Sequence, residues 1–392
     1  MFPRLIWLAV GAFAIGTETL VISPLLPWIA RDLDASIAAV GQLVTIFALG
    51  YALGSPVLSV LAGNIDRRRL LVACLAGFAV ANLLAAAAQN LGQLAAARVL
   101  LALMAGLYMP TANAVASSLV PPEKRGRAIA TVVAGLTVAT AVGVPLGAWI
   151  GAHAHWRVTF VMVAAISAAA ALALLIGLPR TLPRGAATLA QRVAVVRRPE
   201  VLHGLAVTLA FATGVFALFT YLAPLLARAA GLDAQGISAT LFLFGVAAAG
   251  GNALGGFAAD RFGPVPTVRT AFVALALNFA LLALATTLPV PVAAIVIIGA
   301  VGLWGVIGWS LYAAQIANLV RLAPEVAMVS LSLNASTFYL GVAAGAVLGS
   351  LALSAGSIAA IAWIASIAQL VGLAILQIGP RLAPAPVLQP GE

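Results

Sequence analysis

Charge is what this sequence has least of: only 8% of its 392 residues are Asp, Glu, Lys or Arg. Soluble domains carry roughly a quarter, so the chain has too few charged groups to cover a water-facing surface. Cysteine is rarer still. The one copy, Cys74, lies in an apolar run, which excludes an intrachain disulfide. Histidine occurs three times, as His153, His155 and His203, at or near the ends of apolar runs and in no ligand spacing. No Walker-type phosphate loop and no zinc, haem or iron–sulfur pattern occurs. Catalytic residues, metal sites and cofactors are therefore not expected. A membrane-embedded enzyme would want clustered His, Asp or Glu at membrane depth, and a carrier without an ATPase must use a gradient or run downhill.

What is abundant is apolar surface: 64% of residues are hydrophobic and the mean hydropathy is +1.14. A spanning helix needs ~20 apolar residues, so the length permits about twelve spans and little else. Breaks in the apolar pattern predict an all-α membrane protein with helices at 5–29, 39–62, 70–88, 93–118, 127–150, 157–178, 201–228, 236–258, 267–286, 290–319, 328–350 and 356–378. The opening "MFPRLIWLAVGAFAIG" has the form of a secretory signal. Because Glu18 interrupts the apolar run and many spans follow, it reads as a retained first helix.

The net charge of +10 would suggest nucleic acid in a soluble protein, but here the basic residues orient helices in the bilayer. With the N-terminus in the cytoplasm, sixteen of the 20 basic residues face inward, from Arg4 through Arg180 and Arg184 to Arg381. Only Arg31, Arg157 and Arg228 face outward, and Arg98 falls inside the fourth helix. The expected location is a bacterial inner membrane with both termini cytoplasmic, and no nucleic-acid partner.

The loop at 179–200 is long, basic and Pro-containing, and it divides the chain six helices plus six. The expected organisation is a half at 1–178, a linker at 179–200, a half at 201–378 and a short tail at 379–392. The halves echo each other. Pro24-Leu25-Leu26 recurs as Pro224-Leu225-Leu226, Asp66-Arg67 as Asp260-Arg261, and Pro122-Glu123 as Pro324-Glu325. Gly143-x-x-x-Gly147 recurs as Gly345-x-x-x-Gly349. Parallel six-helix repeats of this kind bind substrate near the midplane between halves.

Against that background "FAIGTETLVISPLLP" at 13–27 stands out, because it sets Glu18 in the middle of an apolar helix with no base within ten positions. An ionised side chain there costs ~3 kcal/mol or more. Glu18 must be neutral, paired, or facing a wet cavity, where a proton could load and unload. The structural alternative is a protonated Glu bonded to backbone or Thr. Arg98, the one base within a span, could pair with Glu18 or snorkel to the outer interface. In "AGNIDRRRLL" at 62–71, Asp66 beside Arg67 and Arg69, with its echo Asp260-Arg261, reads as an ion-paired cytoplasmic gate. Positive-inside charge alone would explain the arginines but not the acids. Small residues at Gly135, Ala139, Gly143, Gly147 and Gly151, with Pro145, and at Gly341, Gly345 and Gly349 make ridges for close helix packing or a hinge. Tyr51, Tyr108, Asn113, Phe216, Tyr221, Asn252, Trp304, Tyr312, Asn334, Phe338 and Tyr339 sit within spans and are candidates to line a cavity.

Several of these stretches resemble a known family. "AGNIDRRRLL" resembles the signature loop between helices 2 and 3 of the major facilitator superfamily. Gly143-Val-Pro145-Leu-Gly147 followed by Trp156-Arg157-x-x-Phe160 looks like the antiporter motif of its twelve-helix drug:proton antiporters. With "GTETLVISPLLPWIA" and "GQLVTIFALGYALGSPVL", the similarity is to the sugar (arabinose-type) and chloramphenicol efflux branch, over essentially the whole chain. There are departures. Ala62 and Arg69 stand where the signature loop usually has glycine, and Gly106 comes later after Arg98 than in the helix 4 motif. The resemblance implies that Asp66 carries the gate, Arg98 the helix 4 motif, and Glu18 the substrate or proton site. It implies proton-coupled efflux of a small molecule by a chain expected to act as a monomer in the lipid bilayer. The alternatives are a gradient-driven sugar or metabolite carrier, with Glu18 as a hydrogen-bonding ligand, and a non-transporting sensor, which would need a soluble signalling domain or a long tail.

Overall fold

The computed structural model describes residues 2–121, 124–179 and 189–378. Pro122-Glu123 of the repeat, Arg180 and Arg184 of the linker, and the 379–392 tail with Arg381 lie outside the described residues. The helices are α1 (Phe2–Asp32), α2 (Ile37–Leu61), α3 (Arg67–Ala87), α4 (Leu91–Ser118), α5 (Arg125–Val138), α6 (Val144–His153), α7 (Trp156–Gly177), α8 (Leu189–Val196), α9 (Pro199–Thr220), α10 (Leu222–Ala229), α11 (Ala234–Phe262), α12 (Pro264–Ala285), α13 (Val290–Leu322), α14 (Ala327–Ser354) and α15 (Ile358–Ile378). A π-helical turn, Ala139–Gly143, joins α5 to α6 as one span. Among the described residues, twelve helical segments are long and apolar enough to cross a membrane. Large apolar side chains such as Phe257, Leu277, Ile295 and Ile367 are exposed on their outer faces, as a lipid-facing surface requires. This is an all-α, multi-pass membrane protein.

Local chemistry sets the helix ends. Ser36, Asp66, Asn90 and Asp233 each accept a hydrogen bond from the backbone N–H three residues on, satisfying a donor that the first turn would otherwise bury or orphan. Two spans differ from the uninterrupted helices expected at 127–150 and 201–228, and proline accounts for both. Pro145 has no N–H for the carbonyl four residues back, and the strain is absorbed in the wider turn just before it. Pro224 does the same to Thr220, so α9 stops there, Tyr221 turns out of helical geometry, and α10 starts afresh.

The glycine ridges are contact seams. Gly135, Gly143, Gly147 and Gly151 meet α1 at Ala9, Thr17, Val21 and Leu25 in turn. On α14, Gly341, Gly345 and Gly349 meet α9 at Leu209, Thr213 and Ala217; a Cβ at Gly349 would stand 2.7 Å from the Ala217 carbonyl oxygen. The fifth span thus packs on the first as the eleventh packs on the seventh.

Successive spans alternate direction, giving a basic end that holds Arg67, Arg68 and Arg69, and an opposite end. At the opposite end Asp32, closing α1, accepts hydrogen bonds from Trp156 Nε1 (3.1 Å) and Arg157. Arg157 also donates to the Ala88 carbonyl at the end of α3 (2.7 Å) and lies 4.4 Å over the Trp156 ring. The Trp-Arg-x-x-Phe stretch is therefore a clamp on three helix ends. From midspan to this end, α14 packs along α2, where Ser350 donates to the Ala38 carbonyl (3.2 Å), and α11 packs against the π-helical turn and α6. At the basic end α8 lies on α14, with Arg192 donating to Ser332 (2.8 Å), and Arg198 pairs with Glu325. A hydrogen bond from its own backbone and the Arg198 guanidinium hold the Glu325 carboxyl below the usual carboxylate range, so it stays ionised at neutral pH.

Gly345→Val puts side-chain atoms into the α9 backbone and is expected to destabilise by about 1–3 kcal/mol, seen as a melting point several degrees lower in detergent. Gly250, which has open space around its α-carbon, should accept Ala with no loss. Equal melting of the two variants would show that the ridge is not a tight seam.

Candidate substrate and coupling site

Glu18 lies at the middle of α1, on the stretch fixed by Gly143 against Thr17 and by Gly16 against Ala139. Arg98 comes from α4. The two side chains form an ion pair, Arg98 Nη1 donating to Glu18 Oε1, and neither is exposed at all. Arg98 Nε also donates to the Leu43 carbonyl of α2 (3.3 Å), and the guanidinium sits 4.4 Å over the Phe47 ring. Arg98 therefore turns into the bundle instead of snorkelling outward. The pair is incompletely satisfied: Glu18 Oε2, Arg98 Nη2 and the neighbouring Thr17 hydroxyl are buried without partners. Two charges removed from water in such a place attract each other strongly, so each is held by the other.

An aromatic chain leads away from the pair. Phe47 touches Tyr339 of α14 (ring centroids 6.1 Å apart), and Tyr339 stacks on Tyr51 of α2 at 3.8 Å. Phe338, next along α14, opens onto a small, partly open cavity. Leu20 and Thr140 line it on one side, and Phe211, Val215, Phe216, Phe219, Phe244, Trp304, Gly308, Trp309, Tyr312 and Phe338 on the others. Eight of these twelve lining residues are aromatic, and none of the twelve is charged.

The sequence candidates divide accordingly. Phe216, Trp304, Tyr312 and Phe338 line the cavity, and Tyr51 and Tyr339 form the stack beside it. Tyr108 instead donates to the Leu8 carbonyl (2.9 Å), filling the space left by Gly11. Tyr221 donates to the Ala346 carbonyl (3.1 Å) against Gly41. Asn334 is buried and accepts from Thr208, Asn113 is half-buried, and Asn252 is exposed on α11. Phe211, Phe219, Gly308 and Trp309 were not singled out by sequence. Trp304, Gly308 and Tyr312 recur every four residues, a helical-face signal that could have found Gly308.

Asp66 caps α3 by accepting from the Arg69 backbone N–H (3.1 Å), and Arg68 donates to the Leu175 carbonyl of α7. Asp260 is exposed and makes no ion pair with a described residue, and Arg261 lies 5.8 Å from the Phe262 ring centre. Gly143, Pro145 and Gly147 lie at the π-helical turn, directly behind Glu18.

Removing one charge of the pair should cost more than removing both. Arg98→Met strands Glu18 and is expected to destabilise by about 3–5 kcal/mol, whereas Glu18→Gln combined with Arg98→Met should recover most of that in thermal melts. Additive losses would mean that the pair contributes nothing as a pair.

Comparison with known proteins agrees with this architecture. The family model described as Major Facilitator Superfamily matches residues 8–330. The uncharacterized MFS-type transporter YbcL of Bacillus subtilis (strain 168) is 33% identical over 93% of each chain. A chloramphenicol resistance protein of Streptomyces lividans is 30% identical over 65% of this chain and 66% of its own. Among solved structures, the human organic anion transporter MFSD10 (TETRAN) superposes with a TM-score of 0.70 at 18% identity, covering 96% of this chain and 98% of that one. The chain belongs to the major facilitator superfamily, a family of membrane transporters.

Proposed function

We propose that this transporter exports small organic molecules in exchange for protons, by alternating access. The observation that carries the reading is the fully buried Glu18–Arg98 pair at midspan, one aromatic stack away from a partly open cavity lined by rings. In this reading 1–178 and 201–378 are two halves joined by the linker, both termini are cytoplasmic in a bacterial inner membrane, and the chain works alone. The seam from Tyr51–Tyr339 to Ser350–Ala38 is then the closed outer side. Asp66, Arg67, Arg69, Asp260 and Arg261 belong to the cytoplasmic gate. Gly143, Pro145, Gly147, Gly345 and Gly349 form the surfaces on which helices rock.

The coupling follows from the cost of buried charge. While Glu18 and Arg98 are paired, their charges cancel. A proton on Glu18 removes that cancellation and leaves Arg98 buried and uncompensated, at a cost of several kcal/mol. Parting the Tyr51–Tyr339 stack would let water reach the guanidinium, so protonation favours a different arrangement of α2 and α14. A lining of rings with almost no polar groups suits aromatic or lipophilic molecules better than a sugar, which needs many hydrogen-bond partners. The relative named for chloramphenicol resistance supports the same class.

The test is transport in proteoliposomes with an imposed pH gradient, across a panel of drugs and sugars. Glu18→Gln is expected to abolish pH-driven transport and leave downhill exchange intact. Transport unaffected in both modes would remove Glu18 as the coupling site.

A further inference from the structure

The chain has five tyrosines, Tyr51, Tyr108, Tyr221, Tyr312 and Tyr339, all within spans or at a break in one. A tyrosine in a bundle needs a partner for its hydroxyl, since phenylalanine gives the same ring without the cost of desolvating an O–H. Tyr108 and Tyr221 meet that need with backbone carbonyls (2.9 and 3.1 Å). The other three do not. No described residue hydrogen-bonds the hydroxyl of Tyr51 or Tyr312. Tyr339 has only Thr19 of α1 within reach, and the Thr19 hydroxyl already donates to the Ile15 carbonyl (2.8 Å). Nor are the three shut in. The idle hydroxyls of Thr17 and Thr45 are sealed among side chains, whereas those of Tyr51, Tyr312 and Tyr339 keep contact with open space. The three also come together, from α2, α13 and α14. Tyr51 stacks on Tyr339 with ring centroids 3.8 Å apart, and Tyr312 lies 5.0 Å from Phe338, the residue beside Tyr339. Each is an electrostatic neighbour of the other two. Tyr312 lines the cavity, and Tyr339 also neighbours Glu18 and Arg98, so the cluster stands between the cavity and the charge pair.

Packing does not account for these hydroxyls. Phe47, Phe211 and Phe338 make ring contacts of the same kind beside them without an O–H. A phenol O–H donates well, while its oxygen accepts poorly because the ring draws on the lone pair. Three such groups gathered at one open space suit an acceptor oxygen. A charged acceptor would give up its hydration for no counter-charge, since none of the cavity's lining residues is charged and Arg98 is compensated by Glu18. We infer that the hydroxyls of Tyr51, Tyr312 and Tyr339 form a hydrogen-bonding subsite at the edge of the cavity. It takes the carbonyl oxygen of an uncharged ligand whose aromatic or apolar body lies among the rings. The inference rests on the cavity being the ligand site, as proposed above, and not on proton coupling.

Binding to the purified full-length protein in detergent, without any gradient, tests it. The probes are tritiated 4-acetylbiphenyl and 4-ethylbiphenyl, which differ by one carbonyl oxygen in place of two hydrogens. Each is measured by scintillation proximity on immobilised protein, and the readout is the ratio of their affinities. The ketone is expected to bind about tenfold more tightly. Tyr51→Phe, Tyr312→Phe and Tyr339→Phe keep the ring and remove the hydroxyl. Each should lower the ratio about two- to threefold, and the triple variant should bring it close to one. Tyr108→Phe and Tyr221→Phe, whose hydroxyls serve backbone carbonyls, should leave the ratio as it was. Equal affinities in the unmodified protein, a ratio that survives the triple variant, or an equal fall in the two controls would overturn the subsite. Failure of both probes to bind would overturn it together with the cavity assignment. Loss of pH-driven transport in Glu18→Gln reports on coupling alone, so the two readings fail separately.

Discussion

Lipid gives helices no hydrophobic reward for associating, so close backbone contact has to hold α1 against the fifth span. That contact fixes much else. Gly135, Gly143, Gly147 and Gly151 let α1 lie so near that its central turn, with Glu18, has no room on that side for water or for a rotated side chain. The carboxylate is directed to the remaining side, where α4 supplies Arg98 and α2 supplies a carbonyl and a ring. The clamp of Asp32, Trp156 and Arg157 then prevents α1 from sliding lengthwise, since it ties the helix end to α3 and α7. Position along the axis and position across it are set by different residues.

The two sets of helices share this plan but not its contents. The seam of α14 on α9 repeats that of the fifth span on α1, yet what stands beside each seam differs. Beside α1 there is a pair of full charges; beside α9 there are rings above and neutral amides below. Dividing the labour in this way keeps a strong electrostatic field away from the cavity. A carboxylate among the rings would attract cations and disfavour neutral molecules, whereas a compensated pair behind the Tyr51–Tyr339 stack presents no net charge to the cavity.

Much of this was legible in the sequence because the bilayer leaves few choices. Twelve spans follow from length and hydropathy, the glycine ridges from their four-residue recurrence, and the need of Glu18 for a partner from the cost of charge at depth. Tyr108 and Tyr221 show the limit. A tyrosine in a span looks the same whether its hydroxyl meets a ligand or a carbonyl, and what decides is a distant glycine, Gly11 or Gly41, that makes a hole for the ring. Thr208, Gln315 and Asn318, which hold the cavity candidate Asn334 in a network, were harder still. Each is an ordinary polar residue in an apolar helix, and only folding brings positions more than a hundred residues apart into one network. The break at Tyr221 and the π-helical turn could have been read from Pro224 and Pro145, but not which relief each span would choose.

The π-helical turn also has a geometric role. Residues four apart on an α-helix drift by about 40° per step, so a ridge of three glycines on α14 stays on one side, whereas five small residues from Gly135 to Gly151 would wind around to another face. A wider turn in the middle takes back part of that drift and keeps the later glycines pointing at α1. The fifth span is thereby phase-locked by its own length. Winding the same five residues as ordinary α-helix would instead rotate α6 by roughly a quarter turn relative to α5, facing the wrong side chains toward α1 while every residue of the motif remained present.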